Sequence, residues 1–97
     1  MPWARECSEV ALRQRWLENP FCVLGLAPSA TRLELERAGQ RLLAELAIGR
    51  KTALEYDTPV GRNARTPELV RQALAELRDP GRRLVHEAWL QLAAPLP

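Results

Sequence analysis

Asn19-Pro20-Phe21-Cys22-Val23-Leu24-Gly25-Leu26 is the stretch whose reading decides the fold. A proline pushes the residue before it out of the helical region, so Asn19-Pro20 ends whatever helix precedes it. The apolar run Phe21-Cys22-Val23-Leu24 then supplies one short helix, about Pro20 to Leu24. Gly25 stops that helix, because glycine enters the left-handed cap conformation without a steric penalty. The break divides the chain into an N-terminal helical extension, residues 1–18, and a helical domain, residues 19–94.

On the N-terminal side, Trp3, Cys7, Val10, Ala11 and Leu17 recur at steps that keep one helical face, with Gln14 as the polar interruption. The spacing predicts a helix over 3–17, with Trp16 on a different side as a candidate anchor for a partner. Downstream, Thr31 and Glu34 have the spacing of a capping box. From there Leu35, Ala38, Leu42, Leu46, Gly49, Ala53 and Tyr56 hold one face, which predicts a long helix over 32–56. Gly49 is its weak point, at about 1 kcal/mol relative to alanine. The stretch 57–65 lacks a period and contains Pro59 and Gly61, so it is read as the main loop.

Thr66-Pro67-Glu68 combines a hydroxyl cap, a proline at the first helical position and an acid facing the positive end of the helix dipole. Leu69, Val70, Ala73, Leu74 and Leu77 form the stripe of that helix. Asp79-Pro80 repeats the cap-plus-proline grammar, and Leu84, Val85, Ala88, Trp89 and Leu92 are the expected buried face of a last helix. No segment alternates with period two, so no sheet is expected and the fold class is all-α, a small helical bundle. Leu24, Leu42, Leu46, Leu74, Leu77 and Trp89 are expected to meet in its core.

Composition narrows the function classes. The chain has 97 residues, 46% of them apolar and 27% charged, as in an ordinary folded domain. Its apolar runs are too short to span a bilayer, and Arg5, Glu6 and Glu9 make a charged start unlike a signal peptide. No membrane association and a cytoplasmic location are therefore expected. A structural zinc site takes about four ligands, whereas the chain offers Cys7, Cys22 and His86 without a suitable spacing, so no metal is expected. Cys22, inside an apolar run, reads as a small buried hydrophobe. His86 could pair with Asp79 or Glu87, but a lone histidine late in a helix reads as a capping or surface residue. The glycines are scattered rather than gathered in a phosphate loop, and no serine sits in a nucleophile's setting. No enzyme activity, catalytic residue or cofactor is expected.

The opening at 19–26, taken with Leu77-Arg78-Asp79-Pro80-Gly81-Arg82-Arg83, resembles the two ends of a J-domain, the small helical module of the DnaJ co-chaperones. The resemblance runs over about 19–87 and includes Ala38 and Leu42 of the capped helix and the stripe from Ala73 to Leu77. It implies a J-domain-like bundle in which the second and third helices form an antiparallel hairpin, here with an extra N-terminal helix. In that family a His-Pro-Asp tripeptide after the second helix stimulates the ATPase of a partner chaperone. The corresponding positions here are Ala47-Ile48-Gly49, and Gly39-Gln40 replace a tyrosine and a basic residue. The usual basic face of the second helix is reduced to Arg37, Arg41, Arg50 and Lys51, interrupted by Glu36 and Glu45.

These readings converge on a non-catalytic interaction module, an adaptor that binds another protein and does not stimulate a chaperone ATPase. The candidate contact residues are Arg37, Arg41, Arg50, Lys51, Arg62, Arg65 and Trp16, with Arg62 and Arg65 placed to hold carboxylates from the loop. A competing reading is nucleic-acid binding through Arg62, Arg65, Arg71, Arg78, Arg82 and Arg83, which the interspersed acidic residues disfavour. Another is a regulator that occupies a chaperone without activating it. A net charge of +2, with Lys51 the only lysine, selects none of them.

Overall fold

The structure, a computed structural model, describes residues 13–93. Helical residues 13–17 lead into α1 (Pro20–Leu24), α2 (Arg32–Ala47), a 3-10 turn (Lys51–Ala53), β1 (Glu55–Thr58), β2 (Gly61–Ala64), α3 (Pro67–Arg78) and α4 (Pro80–Ala93). The fold is mainly helical with one small two-stranded sheet. The expected N-terminal helix is seen at 13–17, while Trp3, Cys7, Val10 and Ala11 lie outside the described residues.

Local chemistry sets the helix ends. The Phe21 N–H donates to Asn19 Oδ1 at 3.0 Å, and Gly25 closes α1 at φ 69°. Thr31 and Glu34 form the reciprocal capping box of α2, each receiving the other's backbone N–H. The Leu69 N–H donates to Thr66 Oγ1 at 3.2 Å, with Pro67 in the first turn of α3. Asp79 Oδ1 accepts from the Gly81 and Arg82 N–H groups and so starts α4.

α2 and α3 run antiparallel. Arg78 near the end of α3 grips Glu36 near the start of α2 through two bonds of 2.7 and 2.8 Å, and Gly39 meets Leu74 further along. The core lies between this pair and α1, with Phe21, Val23, Leu24, Leu35, Leu42, Val70, Leu74 and Leu77 buried. Leu46 packs at its edge, half-buried. Trp89 is not part of this cluster; it packs edge-on against Trp16, with ring centroids 5.8 Å apart. Phe21, fully buried, takes a central place that the sequence reading had not given it.

Other departures from expectation have clear causes. The long helix ends at Ala47, not at Tyr56, and Gly49 at φ 71° turns the chain away. Ala53 and Tyr56 are buried as their spacing suggested, but they reach the core from the 3-10 turn and from β1. The expected loop 57–65 is mostly a hairpin, with Tyr56 opposite Asn63 and Asp57 opposite Arg62. Thr58 Oγ1 closes its Pro59-Val60 turn by donating to the Gly61 carbonyl and accepting from the Val60 N–H. The expected mainly helical fold is thus present, and the expectation of no sheet is corrected by this one hairpin.

The fourth helix is rotated from its expected face. Leu84, Val85, Ala88 and Leu92 are exposed, whereas Arg83, His86, Glu87 and Leu90 turn inward. Polar anchors fix that rotation. Arg83 Nη2 donates to the Pro28 and Ala30 carbonyls at 3.0 and 2.6 Å, its guanidinium lies 5.5 Å from the Phe21 ring centre, and buried Asn19 donates through Nδ2 to the His86 carbonyl.

Gly39 gives the sharpest test of the helix pair. A Cβ there would stand 2.5 Å from Leu74 Cδ1 and 2.9 Å from Cδ2. Alanine's propensity gain of about 1 kcal/mol is opposed by an overpacking cost of about 1–3 kcal/mol. Gly39→Ala is thus expected to lower stability in urea melts by up to about 2 kcal/mol. On a Leu74→Ala background the same change should stabilise, a reversal of sign that a double-mutant cycle reads directly. Equal effects on both backgrounds would contradict the close approach.

Candidate functional site

The geometry at the end of α2 and in the segment that follows decides what that end of the molecule offers. Ala47-Ile48-Gly49 closes α2, with Ile48 74% exposed and no ionisable or hydroxyl group among the three. The chain then crosses back through the hairpin to Arg65, which is buried to 8% exposure. Arg65 Nε donates to the Val23 carbonyl at 2.7 Å and Nη1 to the Ala53 carbonyl at 3.1 Å. Its guanidinium also lies over the Tyr56 ring at 5.2 Å. Burial lowers its pKa from the ordinary arginine value. Arg65 is a structural tie and not the surface carboxylate holder that the loop reading assumed.

Tyr56 extends this tie. Its hydroxyl donates to the Leu17 carbonyl at 2.6 Å and accepts from Asn63 Nδ2 at 2.8 Å, while burial pushes its pKa up. Helical residues 13–17 are therefore fastened to the hairpin at their C-terminal end. Trp16, a candidate anchor for a partner, is half-buried against Trp89, and its Nε1 is buried with no acceptor among the described residues.

The remaining candidate cations stay on the surface but do not form one free patch. Arg41 and Arg50 both approach Glu45 Oε1, at 3.8 and 3.9 Å. Arg62 Nε donates to Asp57 across the hairpin at 3.0 Å, an exposed pair worth little energetically. Arg37 and Lys51 are exposed. Arg50 and Lys51 follow Ile48 within three positions of sequence, and Arg65 differs from these cations in being buried.

A second feature escaped the sequence reading. An open groove of about 550 Å³ runs between residues 13–18, α3 and α4, lined by Gln14, Arg15, Glu18, Pro20, Leu69, Gln72, Ala75, Glu76, Arg82 and His86. Glu76 holds its polar side: Arg82 Nη1 donates to Oε2 at 3.1 Å and His86 Nε2 stands 3.8 Å from Oε1. His86 thus faces Glu76, not Asp79 or Glu87. The signal available was the Asp79-Pro80 break, which folds α4 back so that side chains ten positions apart meet. Among the described residues no serine, threonine or cysteine lines the groove beside His86. Among the described residues no group of His, Cys, Asp and Glu has a metal-holding arrangement, and no helix is long and apolar enough to cross a membrane. Cys22 is a half-buried free thiol whose pKa burial raises.

The chain matches no protein-family model, no curated protein and no solved structure.

Burial lowers the His86 pKa from 6.5, with Arg15 acting in the same direction and Glu76 opposing. A depressed imidazole pKa means that the unfolded chain binds the proton more readily. Its contribution to stability is therefore complete above 6.5 and declines as the pH falls through that value toward the folded pKa. Urea midpoints measured at neutral and mildly acid pH should fall more for the wild type than for His86→Gln, the carboxylates being common to both. Parallel pH profiles would contradict this environment for His86.

Proposed function

We propose that the chain is a non-catalytic protein-interaction module, an adaptor on a degenerate J-domain-like scaffold that acts in the cytoplasm. The order of elements supports the scaffold: a short capped α1, an antiparallel α2–α3 pair, and an α4 started by Asp79-Pro80. The observation that carries the functional half is Ala47-Ile48-Gly49 at the end of α2. It supplies no imidazole, rigid ring or carboxylate to a chaperone. The basic face that would meet an acidic partner is also diluted, since Glu45 lies beside both Arg41 and Arg50. Recognition of another protein then falls to surfaces other than the tripeptide.

The nucleic-acid reading finds less support. Arg62, Arg78, Arg82 and Arg83 each bond a carboxylate, and Arg65 is buried on backbone carbonyls. Of the six arginines in that reading only Arg71, exposed on α3, has no such bond among the described residues, so few of the six remain to release counterions from a phosphate chain.

A steady-state ATPase assay with a heat-shock chaperone tests the proposal. Adding this protein is expected to leave the basal rate unchanged, and excess protein should not lower the rate driven by an active J-domain. Several-fold stimulation would overturn the non-catalytic reading, while competitive loss of the driven rate would favour a regulator that occupies the chaperone.

A further inference from the structure

His86, the only histidine of the chain, stands where several parts of the fold meet. Its side chain, 19% exposed, faces the groove between α4, α3 and residues 13–18. Asn19, which follows that leading segment, donates from Nδ2 to the His86 carbonyl. Trp16 packs edge-on against Trp89, and the Arg15 guanidinium lies 5.4 Å from the same ring centre. The leading segment therefore sits on the turn of α4 that carries the imidazole.

The charged groups around that ring divide by the element that holds them. Glu76 of α3 and Arg82 of α4 stay beside His86 whatever the leading segment does. α1 brings no charged side chain. Arg15 and Glu18 belong to the leading segment and line the same groove, with Glu18 Oε1 engaged by Gln14 at 2.6 Å. Releasing the segment takes Arg15 away from the imidazole and opens the ring to water. Both changes favour the cationic form, since burial and a like charge each disfavour it. Glu76 attracts the proton in either arrangement and does not discriminate between them. Burial, the largest cause, and Arg15 both lower the His86 pKa while Glu76 raises it, and the net lowering has the sign that this arrangement requires.

We infer that His86 makes the docking of residues 13–18 on α4 proton-sensitive: the segment is latched at neutral pH and loosens when the imidazole takes up a proton. The form that binds the proton better gains as the pH falls, and that form is the released one. The bond from Tyr56 to the Leu17 carbonyl does not titrate in this range, because burial raises the phenol above its ordinary value of 10. The latch does not depend on the adaptor proposal.

A single histidine gives a single imidazole signal, so its NMR titration in the full chain is unambiguous. The wild-type midpoint should lie below 6.5, and Trp16→Ala or Arg15→Gln should move it up toward that value. Amide hydrogen exchange at about pH 7.5 and about pH 5.5 brackets the imidazole titration. After correction for intrinsic rates, protection of residues 13–18 should fall at the lower pH in the wild type and hold in His86→Gln. A His86 midpoint indifferent to Trp16→Ala would overturn the latch. So would protection at 13–18 that ignores pH while that of α3 falls, because the burial felt by His86 would then belong to α3 and α4. An equal fall in His86→Gln would also overturn it, since another group would be taking up the proton.

Discussion

The guanidinium of Arg65 ties together by polar contacts three parts of the chain whose side chains also meet in the core. Through Nε it holds the Val23 carbonyl of α1, through Nη1 the Ala53 carbonyl of the 3-10 turn, and its plane covers Tyr56 of β1. Tyr56 in turn holds the end of the leading helix through the Leu17 carbonyl. A hairpin of two four-residue strands buries little apolar surface and is marginal by itself. Fixed donors on buried carbonyls give it one position, because those acceptors have no water to replace the arginine. The end of α2 is consequently followed by an ordered, docked segment, and that constrains what any partner could meet beside Ala47-Ile48-Gly49.

Arg83 performs the corresponding task for α4. With Asn19 it ties the inward side of that helix to the 28–30 turn and to the start of α1. The helix is thereby held by hydrogen bonds and a cation on Phe21, with Leu90 packed on the core, while Leu84 and Leu92 are left exposed. Polar anchoring and apolar exposure on one helix are thus two consequences of a single rotation. The same rotation aligns His86 and Arg82 with Glu76 and opens the groove beside residues 13–18.

Much of the helical frame was legible in the sequence because its signals are local. Asn19-Pro20, Thr31 with Glu34, Thr66-Pro67 and Asp79-Pro80 act within a few residues, and each begins a helix as read. The hairpin was not legible, since only Tyr56 of β1 is buried and four residues are too few to establish a period of two. Ala53 and Tyr56 happened to continue the spacing of α2, so a correct sense of burial was attached to the wrong element. The face of α4 was misread because apolar spacing was taken to mean burial, while the inward side is set by hydrogen bonds of Arg83 and Asn19 to carbonyls distant in sequence. Of the candidate contacts, Arg65 and Trp16 could be placed only once the elements they join were known.

Unfolding of Arg65→Ala in urea, set beside Arg62→Ala, tests the role of the buried arginine most directly. Loss of two charge-assisted bonds to buried carbonyls is expected to cost about 3 kcal/mol or more. The exposed Arg62, paired only with Asp57, should cost no more than about 0.5 kcal/mol. Similar small shifts for the two variants would contradict the account, since they would mean that the hairpin is held without Arg65.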